Sequence, residues 1–167
     1  MTRSARTTYT LDISPADLAT ALAAPEFAVA RLAAARREDP VLVSHSTGHG
    51  RTRITARYFT RKDELPGWMQ GRFPDHGPEN VRTEDWVVDG DGLSGKFTVE
   101  STSNSTSLRG TYRVSPTATG SEWVVEATAS AGIPLLGRKI EAFLLASLDS
   151  ACAQEAQEMS AAAVRIG

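Results

Sequence analysis

A chain of 167 residues with 41% hydrophobic and 23% charged residues has the size and composition of one globular domain able to bury a core. Its net charge of −2 offers no basic excess of the kind that nucleic acid requires, so nucleic acid is not an expected partner. The lone Cys152 excludes an internal disulfide, no run approaches the roughly 20 apolar residues of a membrane span, and no signal-like apolar stretch follows Met1, so a cytoplasmic location is expected.

Thr7 to Ile13 alternates Tyr9, Leu11 and Ile13 with Thr8, Thr10 and Asp12, which predicts a half-buried strand. Ser14-Pro15-Ala16-Asp17 then supplies a cap, a first-turn proline and a first-turn acid, starting a helix that runs to about Ala24. Pro25 opens a second helix, Glu26 to Arg37, which Asp39-Pro40 ends. From Pro40 to Ser130 the period is mostly two. Val41 to Thr47 and Arg51 to Thr60 are predicted strands joined at Gly48-His49-Gly50. Asn80 to Val88 and Leu93 to Thr102 form a hairpin across Asp89-Gly90-Asp91-Gly92, and Thr106 to Ser115 and Ser121 to Ala129 form another. Asn104-Ser105-Thr106 matches a glycosylation sequon, which reads as coincidence without a secretion signal.

The segment Arg61 to Glu79 is long for a loop, and Trp68, Met69 and Phe73 make it a cover over the core. After Gly132 a single long helix reaches the C-terminus. Leu136, Ile140, Phe143, Leu144, Leu148 and Ala151 fall on one face of it. Beyond Ala151 the apolar stripe fades into Ala, Gln154, Glu155, Gln157 and Glu158. The first half of the helix is therefore expected to be buried, and the second to pack shallowly or against a partner, a second copy of the chain included.

The order is strand, two short helices, six strands and a long helix, an α+β domain spanning residues 1–167. A helix that follows a run of antiparallel strands can bury its apolar face only on the sheet, and a cavity is expected between the two. Tyr58, Trp86, Phe97, Tyr112 and Trp123 are candidates for the inner side of the sheet, met from the helix by Leu136, Ile140, Phe143 and Leu144. The inner face of the Trp86 strand is the hardest to assign, because Val81, Thr83 and Val87 compete for it. His45, in phase with Val41 and Val43, is a candidate polar contact inside the cavity, and Trp68 a contact from the cover.

His45 and His49 are four residues apart but straddle a strand end and a turn, with no Cys or carboxylate beside them, so no metal site is expected. No cofactor motif is present. Arg51, Arg53 and Arg57 alternate along one strand and read as a solvated outer face. No Gly-x-Ser-x-Gly elbow accompanies Asp75-His76, and no carboxylate clearly joins His45, Tyr58 and Tyr112, so no catalytic set is assigned.

Three stretches carry a resemblance: Leu65-Pro66 after the third strand, Asp85-Trp86 with the Asp89 to Gly92 turn, and Ile133-Pro134-Leu135-Leu136-Gly137-Arg138-Lys139-Ile140-Glu141 leading into the last helix. With the element order, they make the chain similar to the START-like (SRPBCC, Bet v 1-type) helix-grip superfamily, and within it to an actinobacterial family of domains of unknown function. Arg138 departs from that pattern, which has a second small residue there. The resemblance implies a helix-grip fold, a curved antiparallel sheet of about seven strands around the long C-terminal helix. The superfamily includes lipid carriers, hormone receptors, quinone-binding chaperones and polyketide cyclases. The expected function is non-catalytic binding or transport of a hydrophobic small molecule (lipid, quinone or polyketide-like). A cyclase/aromatase-like enzyme and a ligand-free interaction domain are the alternatives.

Overall fold

The structure, a computed structural model, describes residues 2–102 and 105–166, with side chains to residue 162; Asn104 of the sequon lies outside the described residues. Seven strands form one antiparallel sheet: β1 (Thr2–Leu11), β2 (Glu38–Gly48), β3 (Arg51–Phe59), β4 (Glu79–Asp89), β5 (Gly92–Ser101), β6 (Thr106–Pro116) and β7 (Ser121–Ala131). Their order is β1-β7-β6-β5-β4-β3-β2, a meander whose last strand pairs with the first. Between β1 and β2 lie helices α1 (Pro15–Leu22) and α2 (Pro25–Ala34). The cover contains a single helical turn, α3 (Gly67–Gln70), and the chain closes with α4 (Gly137–Ile166).

The helix-grip arrangement is the one the sequence pattern predicts, and local chemistry sets its boundaries. Ser14 Oγ accepts from the Asp17 N–H at 3.1 Å, capping α1, and Pro15 occupies the first turn. α2 ends at Ala34, earlier than predicted. There the Arg37 N–H donates back to the Leu32 carbonyl and the Arg36 N–H to Ala33, with Arg36 left-handed at φ 61°. This is a Schellman-type stop, and it turns the chain before Asp39-Pro40 is reached.

The inner face of the sheet carries a layer of flat rings. Trp86 and Tyr112 stack with centroids 4.5 Å apart, and Phe97 stacks on the other side of Tyr112 at 4.6 Å. Tilted contacts then join Tyr112 to Trp123 and Trp123 to Tyr9. Two glycines make room for the layer. Gly95 is paired with both Trp86 and Tyr112, and a Cβ there would sit 3.3–3.4 Å from both rings. At Gly110, opposite Phe97, a Cβ would meet the Glu126 carbonyl and come within 2.8 Å of the Phe97 ring.

Two expectations are corrected. Val41 and Val43 are exposed, at 46% and 56%, so His45 does not share its face with them. A register shift between Leu42 and Ser44 inserts a bulge, after which His45 stands opposite buried Ile54, in phase with Leu42. Burial along α4 also departs from expectation, since Ile140, Leu148 and Ala151 of the expected stripe are buried but the deepest burial lies beyond them. Phe143, Leu144 and Leu145 in its first half are only half-buried, whereas Cys152, Glu155 and Met159 in the second are wholly excluded from solvent. Cys152, Glu155, Ala156, Met159 and Ala162 form one stripe at helical spacing. Its small members let α4 lie close to the sheet and α1. The stripe is invisible to a hydrophobicity pattern because a carboxylate stands in its middle. Truncating Met159→Ala is expected to cost about 2–4 kcal/mol in urea unfolding. Gln157→Ala, on the exposed side of the same turns, should stay within about 0.5 kcal/mol.

Candidate functional site

β4 explains why its inner face resisted assignment. Asn80, Arg82, Glu84 and Trp86 are buried, and Val81, Thr83, Asp85 and Val87 alternate with them on the more exposed side. The usual order is inverted, with two charged residues inside and two valines outside.

Those charges meet two others. From α2, Arg31 forms a two-pronged pair with Glu84, Nη1 to Oε2 and Nη2 to Oε1, both at 2.9 Å. Its Nη2 also donates to Glu155 Oε1 of α4 at 3.0 Å. Arg82 makes a second fork to Glu155, 2.9 and 3.0 Å, and reaches Glu84 Oε1 at 2.6 Å. The Tyr112 hydroxyl accepts from Arg82 and donates to Glu84 Oε1, both at 2.9 Å. All four charged side chains are at most 6% exposed. Two arginines and two glutamates cancel, so the cluster carries no net charge into the core, as buried charge requires.

Burial alone would raise the Glu84 carboxyl, but the Arg31 and Arg82 guanidiniums outweigh it and hold Glu84 well below the usual carboxylate range. Burial, opposed by Arg82 and reinforced by Glu84, pushes the Tyr112 hydroxyl well above its ordinary value. Burial likewise raises the Cys152 thiol. A carboxylate does therefore join Tyr112, which the sequence pattern did not reveal. Its lone pairs are committed to two guanidiniums, a hydroxyl and a 3.4 Å contact from Trp86 Nε1. The void beside the quartet is about 10 Å³, room for one water and for no substrate. Chemically, this cluster holds elements together.

The space between sheet and helix is thus divided. At the inner end the rings and Met159 fill it. At the other end, beyond Asn80, a cleft of about 50 Å³ remains between β3–β6 and the first three turns of α4. Tyr58, Leu108 and Ile140 line it as buried walls, Met69 closes one side from the cover, and Phe143 and Leu144 form a half-buried roof. Asn80, Thr60, Thr106, Ser147 and Arg37 are its polar members, and Asn80 Nδ2 donates to Thr60 Oγ1 at 2.9 Å. A larger recess of about 430 Å³ lies on the outer face of the sheet, with the ion pairs Arg6–Glu126 and Arg51–Asp85 on its walls. Both pairs are largely exposed, so this recess is a corrugation of solvated side chains.

Of the residues singled out in the sequence, Tyr58, Ile140, Phe143 and Leu144 come together at the cleft. Trp86, Phe97, Tyr112 and Trp123 come together in the ring layer, on the far side of the quartet. His45 lies apart, its Nε2–H donating to the Leu22 carbonyl at 3.0 Å at the end of α1. Leu136 is half-buried just before α4, and Trp68 is 43% exposed while its neighbours Leu65 and Met69 supply the cover's buried contacts. Sequence reasoning missed Arg31, Arg82, Glu84, Glu155 and Arg37. The strict alternation of Asn80, Arg82, Glu84 and Trp86 against Val81, Thr83 and Val87 was the signal that could have found two of them.

Because Glu84 is held low in the folded state, the unfolded chain binds more protons below about pH 5, and stability falls with pH from there downward. Glu84→Gln leaves the two guanidiniums undercompensated. It should cost about 3–5 kcal/mol at neutral pH and flatten that acid slope, measured by urea midpoints between about pH 3 and 7.

Comparison with known proteins bears on this geometry. By structure the chain is similar to TTHA0849 from Thermus thermophilus, at TM-score 0.60 and 14% identity over 98% of each chain. It is similar to Ara h 8.0201, at TM-score 0.53 and 15% identity, over 96% of this chain and 99% of that one. It also matches the di-domain ARO/CYC StfQ from the steffimycin biosynthetic pathway, at TM-score 0.60 and 14% identity, over 98% of this chain and 52% of the other. At such identities the likeness is one of fold. No curated protein matches by sequence. A family described as "Protein of unknown function (DUF2505)" matches residues 6–162.

Proposed function

The chain belongs to the DUF2505 family, and from the cleft we propose that it binds or carries a small hydrophobic molecule between the sheet and the first half of α4. One observation carries this reading. Among the described residues the charge quartet and the stacked rings are buried and fill the inner end, whereas the cleft keeps about 50 Å³ between apolar walls under a half-buried roof.

A cleft of about 50 Å³ is below the 300–1,000 Å³ of ordinary ligand pockets, so the roof must move for a ligand to seat. Phe143 and Leu144 lie on the half of α4 that lacks the quartet's anchors. The helix start they depend on follows Leu135, which is fully exposed and left-handed at φ 68°. Displacing two side chains there exposes little surface that is not already half exposed. The ligand then covers the apolar walls, at roughly 25 cal/mol per Å² of apolar area removed from water. The quartet limits depth, so the ligand is a short one lodged between Asn80 and the mouth.

The cyclase-like alternative needs an acid or base facing the ligand. Tyr112, the group that has a carboxylate, lies behind the quartet with its hydroxyl fully engaged, which favours binding over chemistry. The interaction-domain alternative loses the apolar stripe of α4, since Cys152, Ala156, Met159 and Ala162 are buried within the domain.

N-phenyl-1-naphthylamine, a neutral probe that fluoresces when shielded from water, is expected to bind with a stoichiometry of one. Phe143→Arg, which places a charge in the roof, should weaken it at least tenfold with an unchanged circular dichroism spectrum. Native mass spectrometry of gently purified protein should show an apolar adduct that leaves on denaturation. An unshifted mass, together with probe binding indifferent to Phe143→Arg, would refute the assignment.

A further inference from the structure

Among the described residues, Arg37 is the only charged side chain lining the cleft, and no carboxylate lines it. The other two inward guanidiniums, Arg31 and Arg82, are saturated by glutamates. Arg37 is not. Among the described residues its side chain has no hydrogen bond or ion pair, its Nε is buried without a partner, and its compensating contact is the face of Tyr58, 5.0 Å below the guanidinium. Arg37 is half-buried, with only its Nε buried without a partner, so the contact with the Tyr58 face leaves its Nη fork open to an anion.

The backbone is shaped to aim this group. The stop at the end of α2 leaves Arg36 left-handed at φ 61°, where glycine is the usual residue, and it delivers Arg37 inward beneath the mouth of the cleft. An unpaired guanidinium fork at one end of an apolar slot is the counterpart of one ligand chemistry: an apolar body ending in a single planar or tetrahedral anionic head.

We propose that the molecule bound in the cleft is an amphipathic acid, its apolar body under Phe143 and Leu144 and its carboxylate or similar oxyanion held by Arg37. This rests on the binding reading above and adds the head-group class to it. The neutral amide and hydroxyls of Asn80, Thr60 and Ser147 lie in the same cleft and add no opposing charge.

The test compares two probes with one ring system, N-phenyl-1-naphthylamine and 1-anilinonaphthalene-8-sulfonate, which differ by the sulfonate. Both are titrated by fluorescence into the wild type, Arg37→Met and Arg37→Lys. The expected result is that Arg37→Met weakens the sulfonate at least tenfold and the neutral probe less than twofold, while Arg37→Lys keeps most of the sulfonate affinity. In the wild type, added salt should weaken the sulfonate alone, a reading that needs no variant to fold. If the neutral probe binds and the sulfonate does not, or binds equally to wild type and Arg37→Met, the head-group assignment is wrong and the cleft stands. Equal loss of both probes would make Arg37 a structural residue. Failure of both probes on the wild type would sink the cleft and the head group together.

Discussion

The architecture turns on a neutral knot of four buried charges. Arg31 comes from α2, Arg82 and Glu84 from β4, and Glu155 from the middle of α4, so three elements that are distant in sequence meet at one point. Its worth is not mainly net stability. Taking four charges out of water costs several kcal/mol per ion, which their mutual attraction only just offsets, and well-packed apolar residues often do as well. What the knot supplies is position. Two forks and a hydroxyl accept one arrangement of donors, and a shift of α4 by one residue would rotate Glu155 out of reach and leave two buried guanidiniums to share the one carboxylate of Glu84. The penalty for error is large, and this fixes the helix over the sheet.

That constraint propagates both ways along the inner face. Toward Trp86 the rings close-pack, with Gly95 and Gly110 letting them lie flat on the strands. Tyr112 belongs to both systems, since its ring sits in the stack and its hydroxyl in the knot. Toward Asn80 nothing comparable exists. Packing there depends on Leu144, Phe143 and Met69, side chains with several rotamers and no directional bonds. The same helix is thus fixed by charge pairs in its second half and, under Phe143 and Leu144, by apolar contacts.

How much of this was legible in the sequence depends on which signal carried it. The hairpins of β4–β5 and β6–β7 could be read because alternation and turn chemistry agree there. Leu108, Tyr112 and Val114 are buried while Arg109 and Arg113 are exposed. β4 could not be oriented, because the rule that apolar residues point inward fails where arginine and glutamate are paired inside. The second half of α4 read as a fading stripe for the same reason. Glu155 looks like a surface acid until its partners, 73 and 124 residues away in sequence, are known. Strict alternation puts His45 in phase with the wrong neighbours because a bulge adds one residue to the count, and no local composition announces it. By periodicity Arg37 is the end of a helix, and only the left-handed turn at Arg36 brings it to the cleft.

These failures share a cause that bears on function. Hydrophobic periodicity reports burial driven by solvent, and it is blind to burial driven by pairing. Each inward charge the pattern missed needs a partner, which is a counter-charge, a hydrogen-bond donor or acceptor, or solvent. For Arg31, Arg82, Glu84 and Glu155 the counter-charges are one another, the pairing is complete within the chain, and their role is structural. Glu141, also buried at the start of α4, has the Ala131 N–H at 3.3 Å. For Arg37 the pairing stays open, and it does so at the cleft, beneath a half-buried roof. A fold that uses four charges to fix half of a helix, and leaves a fifth facing an apolar slot under the other half, has separated the part that holds the structure from the part that can receive a ligand.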